Sequence, residues 1–234
     1  MRATFDHSEE VTSDIRTFWF KPERPVRYTA GQFTELTLPH SHPDDRGTKR
    51  WFTLSSAPGG EFVSITTRLA THNGSSFKKA LQALTPGHEV DLAEAMGDFV
   101  LPMLIQTPLI FVAGGIGVTP FHSMAAWLAD AKEERPIRML HAVRTEDDII
   151  FQETFSAAGI DETIVVSEPS PTWGGERGRL NAEMILGLEK PSDDALIYLS
   201  GPEPMLEALE KDLLKHGVAK RQLVTDFFPG YAAL

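Results

Sequence analysis

Leu109-Ile110-Phe111-Val112-Ala113-Gly114-Gly115-Ile116-Gly117-Val118-Thr119-Pro120 is the stretch that decides the fold of this 234-residue chain. Five apolar residues in unbroken succession suit a strand buried on both faces of a parallel sheet. The glycines then turn the chain, with Thr119 as a natural N-cap and Pro120 as a natural first helical residue. Phe121, Met124, Ala125 and Leu128 follow in helical register over residues 121–132.

The same rhythm continues downstream. Strands are expected at 137–143, 163–166, 195–199 and 222–226, with helices near 150–158 and 182–188 and one after Pro204. That last helix puts Met205, Leu209 and Leu213 on one face and ends at Gly217. Alternating strands and helices at this spacing make an open parallel α/β sheet. Ligands of such sheets bind beyond the carboxyl ends of the strands. Two glycine turns fall at such ends, one at Gly114–Gly117 and one at Ser200-Gly201-Pro202. Bare glycines let backbone amides approach a pyrophosphate closely. Taken singly, each turn serves equally well as a tight strand–helix connection.

Upstream of residue 105 the pattern changes to short strands separated by turn signals, as in a barrel or sandwich. Strands are expected within 11–20, 33–38, 50–54, 61–69, 88–92 and 98–101, and residues 39–49 are a polar loop. One helix interrupts them at 77–84, with Ser75 or Ser76 as N-cap. The chain therefore reads as two domains: an antiparallel β-barrel with one helix over 1–104 and an open parallel α/β sheet over 105–234.

Within the first domain, Arg50-Trp51-Phe52-Thr53 places Arg50 and Phe52 on one strand face and Trp51 and Thr53 on the other. A guanidinium suits a pyrophosphate, an aromatic suits a ring cofactor, and a hydroxyl can bond a ring nitrogen. A surface Arg beside a buried Phe would give the same string. Gly74-Ser75-Ser76 opens a helix and is either a cap alone or a phosphate seat.

Composition narrows the function classes. The chain has no cysteine, which removes disulfides, thiolate zinc sites and cysteine-ligated iron–sulfur clusters from it. A net charge of −11 argues against nucleic-acid partners. Residues 99–129 carry no Asp, Glu, Lys or Arg, but prolines and glycines break them into pieces too short for a membrane span. The N-terminus lacks an apolar signal-peptide core, and a cytoplasmic protein is expected. His40 and His42 share a face of an extended segment but have no further ligand set nearby, so no metal is assigned. His122 and His141 read as structural.

In this order and spacing the motifs resemble those of the ferredoxin–NADP⁺ reductase-like flavoproteins, over nearly the whole chain. Arg50-Trp51-Phe52-Thr53 is similar to that family's Arg-x-Tyr-Ser flavin signature, with Phe for Tyr and Thr for Ser. Residues 65–68 sit where the family has its next flavin-contacting strand, which brings in Ile65, Thr67 and Arg68. Gly74, Ser75 and Ser76 match its flavin-pyrophosphate turn. Gly114, Gly115, Gly117, Thr119 and Pro120 resemble its Gly-Gly-x-Gly-x-x-Pro nucleotide motif. Ser200, Gly201, Pro202 and Met205 resemble its Cys-Gly-Pro-x-x-Met motif, with Ser for Cys.

The resemblance implies bound FAD, a nicotinamide donor, and hydride transfer to flavin N5 followed by electron transfer to a separate acceptor. That acceptor is a small molecule, oxygen, or a redox partner protein such as a ferredoxin or an oxygenase component, since the chain has no iron–sulfur module. Arg50 would hold flavin phosphate, Phe52 would pack on the isoalloxazine and Thr53 would bond near N5. Ser200 would lie near the nicotinamide, and Phe227, Phe228 and Tyr231 would cover the flavin or simply pack as an apolar tail. NADPH-specific relatives often carry Ser-Arg after the third strand of this domain. This chain has Ser167-Glu168, whose carboxylate repels a 2′-phosphate, so NADH is favoured over NADPH. Arg144, Arg177 and Arg179 could still supply positive charge to a phosphate. A reductase of free flavin and a noncatalytic flavin relay or redox sensor are the alternatives.

Overall fold

The computed structural model describes residues 1–69, 74–188 and 192–226. They form two compact units, Met1–Val100 and Leu101–Leu234, against a boundary expected at 104/105. Phe227, Phe228 and Tyr231 lie outside the described residues.

The first unit contains β1 (Arg2–Glu10), β2 (Ile15–Pro22), β3 (Phe33–Thr37), β4 (Lys49–Thr53), β5 (Val63–Arg68), α1 (Ser76–Gln82) and β6 (Glu89–Leu92). The strands are ordered β4-β3-β6-β1-β2-β5, and every pairing is antiparallel. The two edges of this sheet meet just past β4, where the Ser55 amide donates to the Ser64 carbonyl at 2.8 Å. A seam of buried hydroxyls backs that closure: Ser55 Oγ lies 3.0 Å from Ser64 Oγ and 2.9 Å from Thr66 Oγ1, which lies 2.8 Å from Thr17 Oγ1. Each buried hydroxyl thus keeps a partner, which a closed barrel interior requires. Phe18, Phe20, Leu36, Leu54, Ile65, Phe77 and Leu81 fill the interior.

This unit has one strand that was not expected and lacks one that was. Arg2–Glu10 is a strand, although its charged residues conceal the alternation that buries Ala3 and Phe5. Residues 98–101 are not a strand. Met96 alone bridges to Phe33, Gly97 turns away at φ +104°, and the Val100 amide closes a tight turn on the Asp98 carbonyl. A side chain at 97 would meet the Phe33 ring at 2.8 Å, so the close approach and the positive φ both demand glycine.

The second unit contains β7 (Leu109–Gly114), α2 (Thr119–Ala131), β8 (Ile137–Val143), α3 (Gln152–Ala157), β9 (Asp161–Val166), β10 (Glu176–Arg177), α4 (Ala182–Leu188), β11 (Leu196–Ser200), α5 (Glu203–Lys215) and β12 (Leu223–Thr225). The strands are ordered β10-β9-β8-β7-β11-β12 and all pair in parallel. The winding starts at central β7, runs outward through β8 and β9, and then resumes on the other side at β11. The switch point lies between β7 and β11. All six residues of β7 are buried, as its unbroken apolar run requires, and Phe111 stacks on Phe121 of α2 with ring centroids 4.5 Å apart. Truncating a ring so enclosed costs about 3–5 kcal/mol.

Thr119 is not the N-cap of α2. A 3-10 turn over Gly115–Val118 runs straight into the helix, so Thr119 is already helical and its Oγ1 donates to the Ile116 carbonyl at 3.2 Å.

Candidate functional site

In the first unit the polar loop before β4 and the start of α1 build a cationic cradle. Ser75 caps the helix by accepting the Lys78 amide at 3.3 Å. Arg50 is largely covered; it donates to the carbonyls of Arg46 and Lys49 at 2.7 and 2.6 Å, and its guanidinium lies 5.1 Å from the Phe77 ring centre. Burial depresses the Lys78 ammonium below its ordinary value, and the charges of Arg46, Arg68 and Arg50 depress it further. Four cations so close together call for an anion.

The chain supplies one. Asp44 accepts from Arg50 at 3.2 Å through Oδ1 and from the Ser76 amide at 3.0 Å through Oδ2. Its own amide donates to Ser76 Oγ at 2.8 Å. Partial burial would raise this carboxyl, but the Ser76 and Arg46 bonds and the Arg50 charge hold it below the ordinary range. The Asp44 carboxylate therefore satisfies the Arg50 guanidinium and the Ser76 amide within the chain. Asp44 also borders a pocket of about 630 Å³ whose lining includes His40, Asp45, Arg46, Ser75, Ser76 and Lys79. A phosphate group fits this donor set.

The remaining flavin candidates occupy different surroundings. Phe52 is buried in the barrel interior, 5.9 Å from the Phe77 ring, and Ile65 is fully buried there. Thr53 and Thr67 are also buried. Arg68 is paired with Asp14 at 2.5 Å. Arg50, Gly74, Ser75 and Ser76 are thus brought together around the cradle. Phe52 and Ile65 act as core side chains.

In the second unit the two glycine turns touch at the switch point. A Cβ on Gly114 would lie 2.5 Å from Met205 Sδ, and one on Gly117 would lie 2.5 Å from the Ser200 carbonyl and 2.6 Å from Gly201 Cα. Only glycine permits this backbone nesting. Gly115, at φ +51°, instead faces open space, which leaves room for a ligand to approach. Beneath the turn, His141 of β8 is completely buried; its Nε2 lies 3.2 Å from the Gly115 carbonyl and its Nδ1 lies 3.2 Å from Glu162 Oε1.

Ser200 ends β11, with its hydroxyl donating to Asp226 Oδ2 at 3.0 Å. Both side chains are buried, and desolvation pushes the Asp226 carboxyl up to about 7 despite the Ser200 bond. At the outer strand ends, Arg144 and Glu168 are exposed neighbours, joined by a 2.8 Å bond from the Glu168 amide to the Arg144 carbonyl. Thr119 and Pro120 are buried at the start of α2, while Pro202 is exposed at the start of α5.

Sequence reasoning passed over three polar groups beside these turns and the cradle, Asp44, Glu162 and Asp226, and read His141 as structural, which its buried contacts match. Asp44 lay in a polar loop with no periodicity. Glu162, Asp226 and His141 lay within or at the end of strands whose apolar neighbours set the reading. An acid or imidazole inside an apolar strand was the available signal.

Residues 111–211 match the model of the oxidoreductase NAD-binding domain. Over 220 residues the chain is 27% identical to the NADH oxidoreductase HCR of Escherichia coli (strain K12), spanning 94% of this chain and 66% of that protein. It is 30% identical over 219 residues to the glycine betaine monooxygenase reductase subunit of Chromohalobacter salexigens, spanning 89% of this chain and 58% of the relative. It therefore spans about three-fifths of the length of these curated relatives. The fold is also that of a ferredoxin NADP⁺ reductase from Neisseria gonorrhoeae solved with bound FAD and NADP, at 17% identity and a TM-score of 0.79, with 97% of both chains aligned.

Proposed function

We propose that the chain is a flavin-dependent NAD(P)H reductase of the ferredoxin–NADP⁺ reductase-like family, delivering electrons to a separate acceptor; the match of residues 111–211 to the oxidoreductase NAD-binding domain and the two reductase relatives support this reading. The observation that carries this reading is the nesting of Gly114 and Gly117 against the Ser200–Met205 turn at the sheet's switch point. Nucleotides bind parallel α/β sheets at such points. When bound, FAD supplies a two-electron hydride acceptor that can release its electrons singly.

The chain's own groups take the following roles. Arg50, Ser75 and the Ser76 amide hold the flavin pyrophosphate, with Thr53 as the hydroxyl nearest the reacting ring. Gly115 and the turn around it seat the nicotinamide nucleotide. Ser200, with its proton directed to Asp226, orients the nicotinamide. Glu168 accepts from ribose hydroxyls and favours NADH, while Arg144 is the adjacent cation. The acceptor is a redox partner protein, as the reductase-subunit relative suggests; an oxygenase component or a ferredoxin would serve.

The test is a visible spectrum of the purified protein followed by anaerobic NADH and then NADPH. Yellow protein bleached by either nucleotide supports the reading, and the faster nucleotide identifies the donor. Yellow protein bleached by neither would overturn it in favour of a relay or sensor. One observation favours a second reading, a reductase of free flavin: Asp44 already satisfies the phosphate cradle and would weaken flavin retention. Colourless protein that oxidises NADH only when flavin is added would select it.

A further inference from the structure

We propose that His141, held by Glu162, is the positioning residue that fixes the nucleotide turn by bonding the Gly115 carbonyl. The inference rests on the reading of Gly114–Pro120 as the nucleotide seat and goes beyond it by naming what holds that seat in shape.

Gly115 adopts a left-handed conformation at φ +51°. Its carbonyl oxygen is directed down to β8, where it meets His141 Nε2 at 3.2 Å. A carbonyl can only accept, so Nε2 carries the proton. On the other side of the ring, Nδ1 faces Glu162 Oε1 at 3.2 Å. The tautomer with its proton on Nε2 is therefore the one that serves the turn, with the Glu162 carboxyl bracing the ring from the other side.

Strand register puts the pair in place. His141 and Met139 share a face of β8, and Glu162 of β9 lies opposite Met139. The carboxylate consequently reaches the imidazole diagonally. His141 is 0% exposed and the Glu162 side chain 7%, so neither group has water to replace its partner. Losing the imidazole would leave the Gly115 carbonyl and the Glu162 carboxyl buried without this partner, a cost the turn would relieve by rotating its peptide. Rotation there would change the path of the glycine turn, which borders open space. The imidazole is fully buried beneath the turn, so its effect falls on nucleotide affinity and leaves the chemical step alone.

The experiment uses the full chain and NAD⁺ as the probe. Calorimetric NAD⁺ affinity and steady-state NADH kinetics with ferricyanide are measured for wild type, His141→Leu, His141→Gln and Glu162→Gln. His141→Leu should weaken NAD⁺ binding and raise the NADH KM by roughly tenfold, with kcat changed less than about twofold. His141→Gln, which keeps an N–H near Nε2, should recover most of the affinity, and Glu162→Gln should fall between. On the wild type, 15N NMR of the histidines should find a slowly exchanging proton on Nε2 of His141.

A folded His141→Leu protein binding NAD⁺ as the wild type does would overturn the inference. So would an Nε2 without a proton, a result that stands even if the leucine variant does not fold. Wild type that binds no NAD⁺ would remove the nucleotide reading itself, a failure distinct from a variant that binds normally.

Discussion

Asp44 and Arg50 are joined by a 3.2 Å ion pair at the mouth of the barrel unit, and the same carboxylate takes the Ser76 amide at the start of α1. The groups best suited to a phosphate are thus satisfied by the protein's own acid. On the proposed reading, the flavin pyrophosphate and Asp44 would compete for the same donors.

Removing the acid should help the flavin. Asp44→Asn keeps the loop's hydrogen bonding but loses the charge, and flavin content after purification should rise. A partly exposed pair contributes at most about 1 kcal/mol, so the gain in FAD affinity is at most about fivefold. Arg50→Ala should do the opposite and weaken FAD roughly tenfold or more, as expected for loss of a charged hydrogen bond. The ratio of flavin to protein absorbance measures both. Unchanged flavin content in Arg50→Ala would remove the assignment of this cradle.

Gly117 marks where the two nucleotide turns meet. An added methyl would stand 2.5 Å from the Ser200 carbonyl and 2.6 Å from the Gly201 amide, backbone atoms that cannot swing aside. Gly117→Ala should cost about 1–3 kcal/mol of stability and separate the turns. Gly187→Ala, where an added methyl meets nothing within 4 Å, is the control. Denaturant unfolding compares the two. Equal stability would mean that the turns are not in contact.

Asp226 makes stability depend on pH. Its carboxyl rises from 3.8 to about 7 on folding, mainly through desolvation. Between those values the folded chain keeps a proton that the unfolded chain has released. Stability therefore falls as pH rises through this window, and the loss is complete above about 7. The shift corresponds to a few kcal/mol at most, at about 1.4 kcal/mol per unit. Asp226→Asn retains an acceptor for Ser200 and should remove this slope. Its melting temperature should exceed that of the wild type by several degrees at pH 8 and match it near pH 4. Melting curves across that range, parallel for the two proteins, would refute the assignment.

Much of this architecture could be read from residue order. The apolar run at 109–113 with its glycines, and the matching Ser200 turn, mark the parallel sheet because buried strands and tight turns leave local signals. Such signals were absent elsewhere: the strand Arg2–Glu10 carries its apolar residues only at Ala3 and Phe5, and pairing with β2 and β6 supplies the rest. Of the candidate site residues, Arg50, Gly74, Ser75 and Ser76 come together in one unit, and the glycine turns at 114–117 and 200–202 meet in the other. The contacts of Asp44, His141 and Asp226 were not legible, because their partners at Arg50 and Ser76, at Gly115 and Glu162, and at Ser200 are set by the fold. Phe52 lies on the expected strand, and its ring packs beside Phe77.

Glu168 gives the last prediction. It lies exposed just beyond β9, its amide bonded to the Arg144 carbonyl, where an adenosine ribose would lie in a sheet of this winding. A carboxylate there accepts from both ribose hydroxyls and repels a 2′-phosphate; a guanidinium reverses both effects. Glu168→Arg should therefore lower the KM for NADPH and raise it for NADH, shifting the ratio of kcat/KM values by roughly tenfold or more, since one charged contact is gained and one repulsion removed. Flavin content should not change, because the substitution lies in the other unit. Parallel initial-rate assays with the two nucleotides decide the matter, and an unaltered ratio would move the selectivity to Arg144, Arg177 or Arg179.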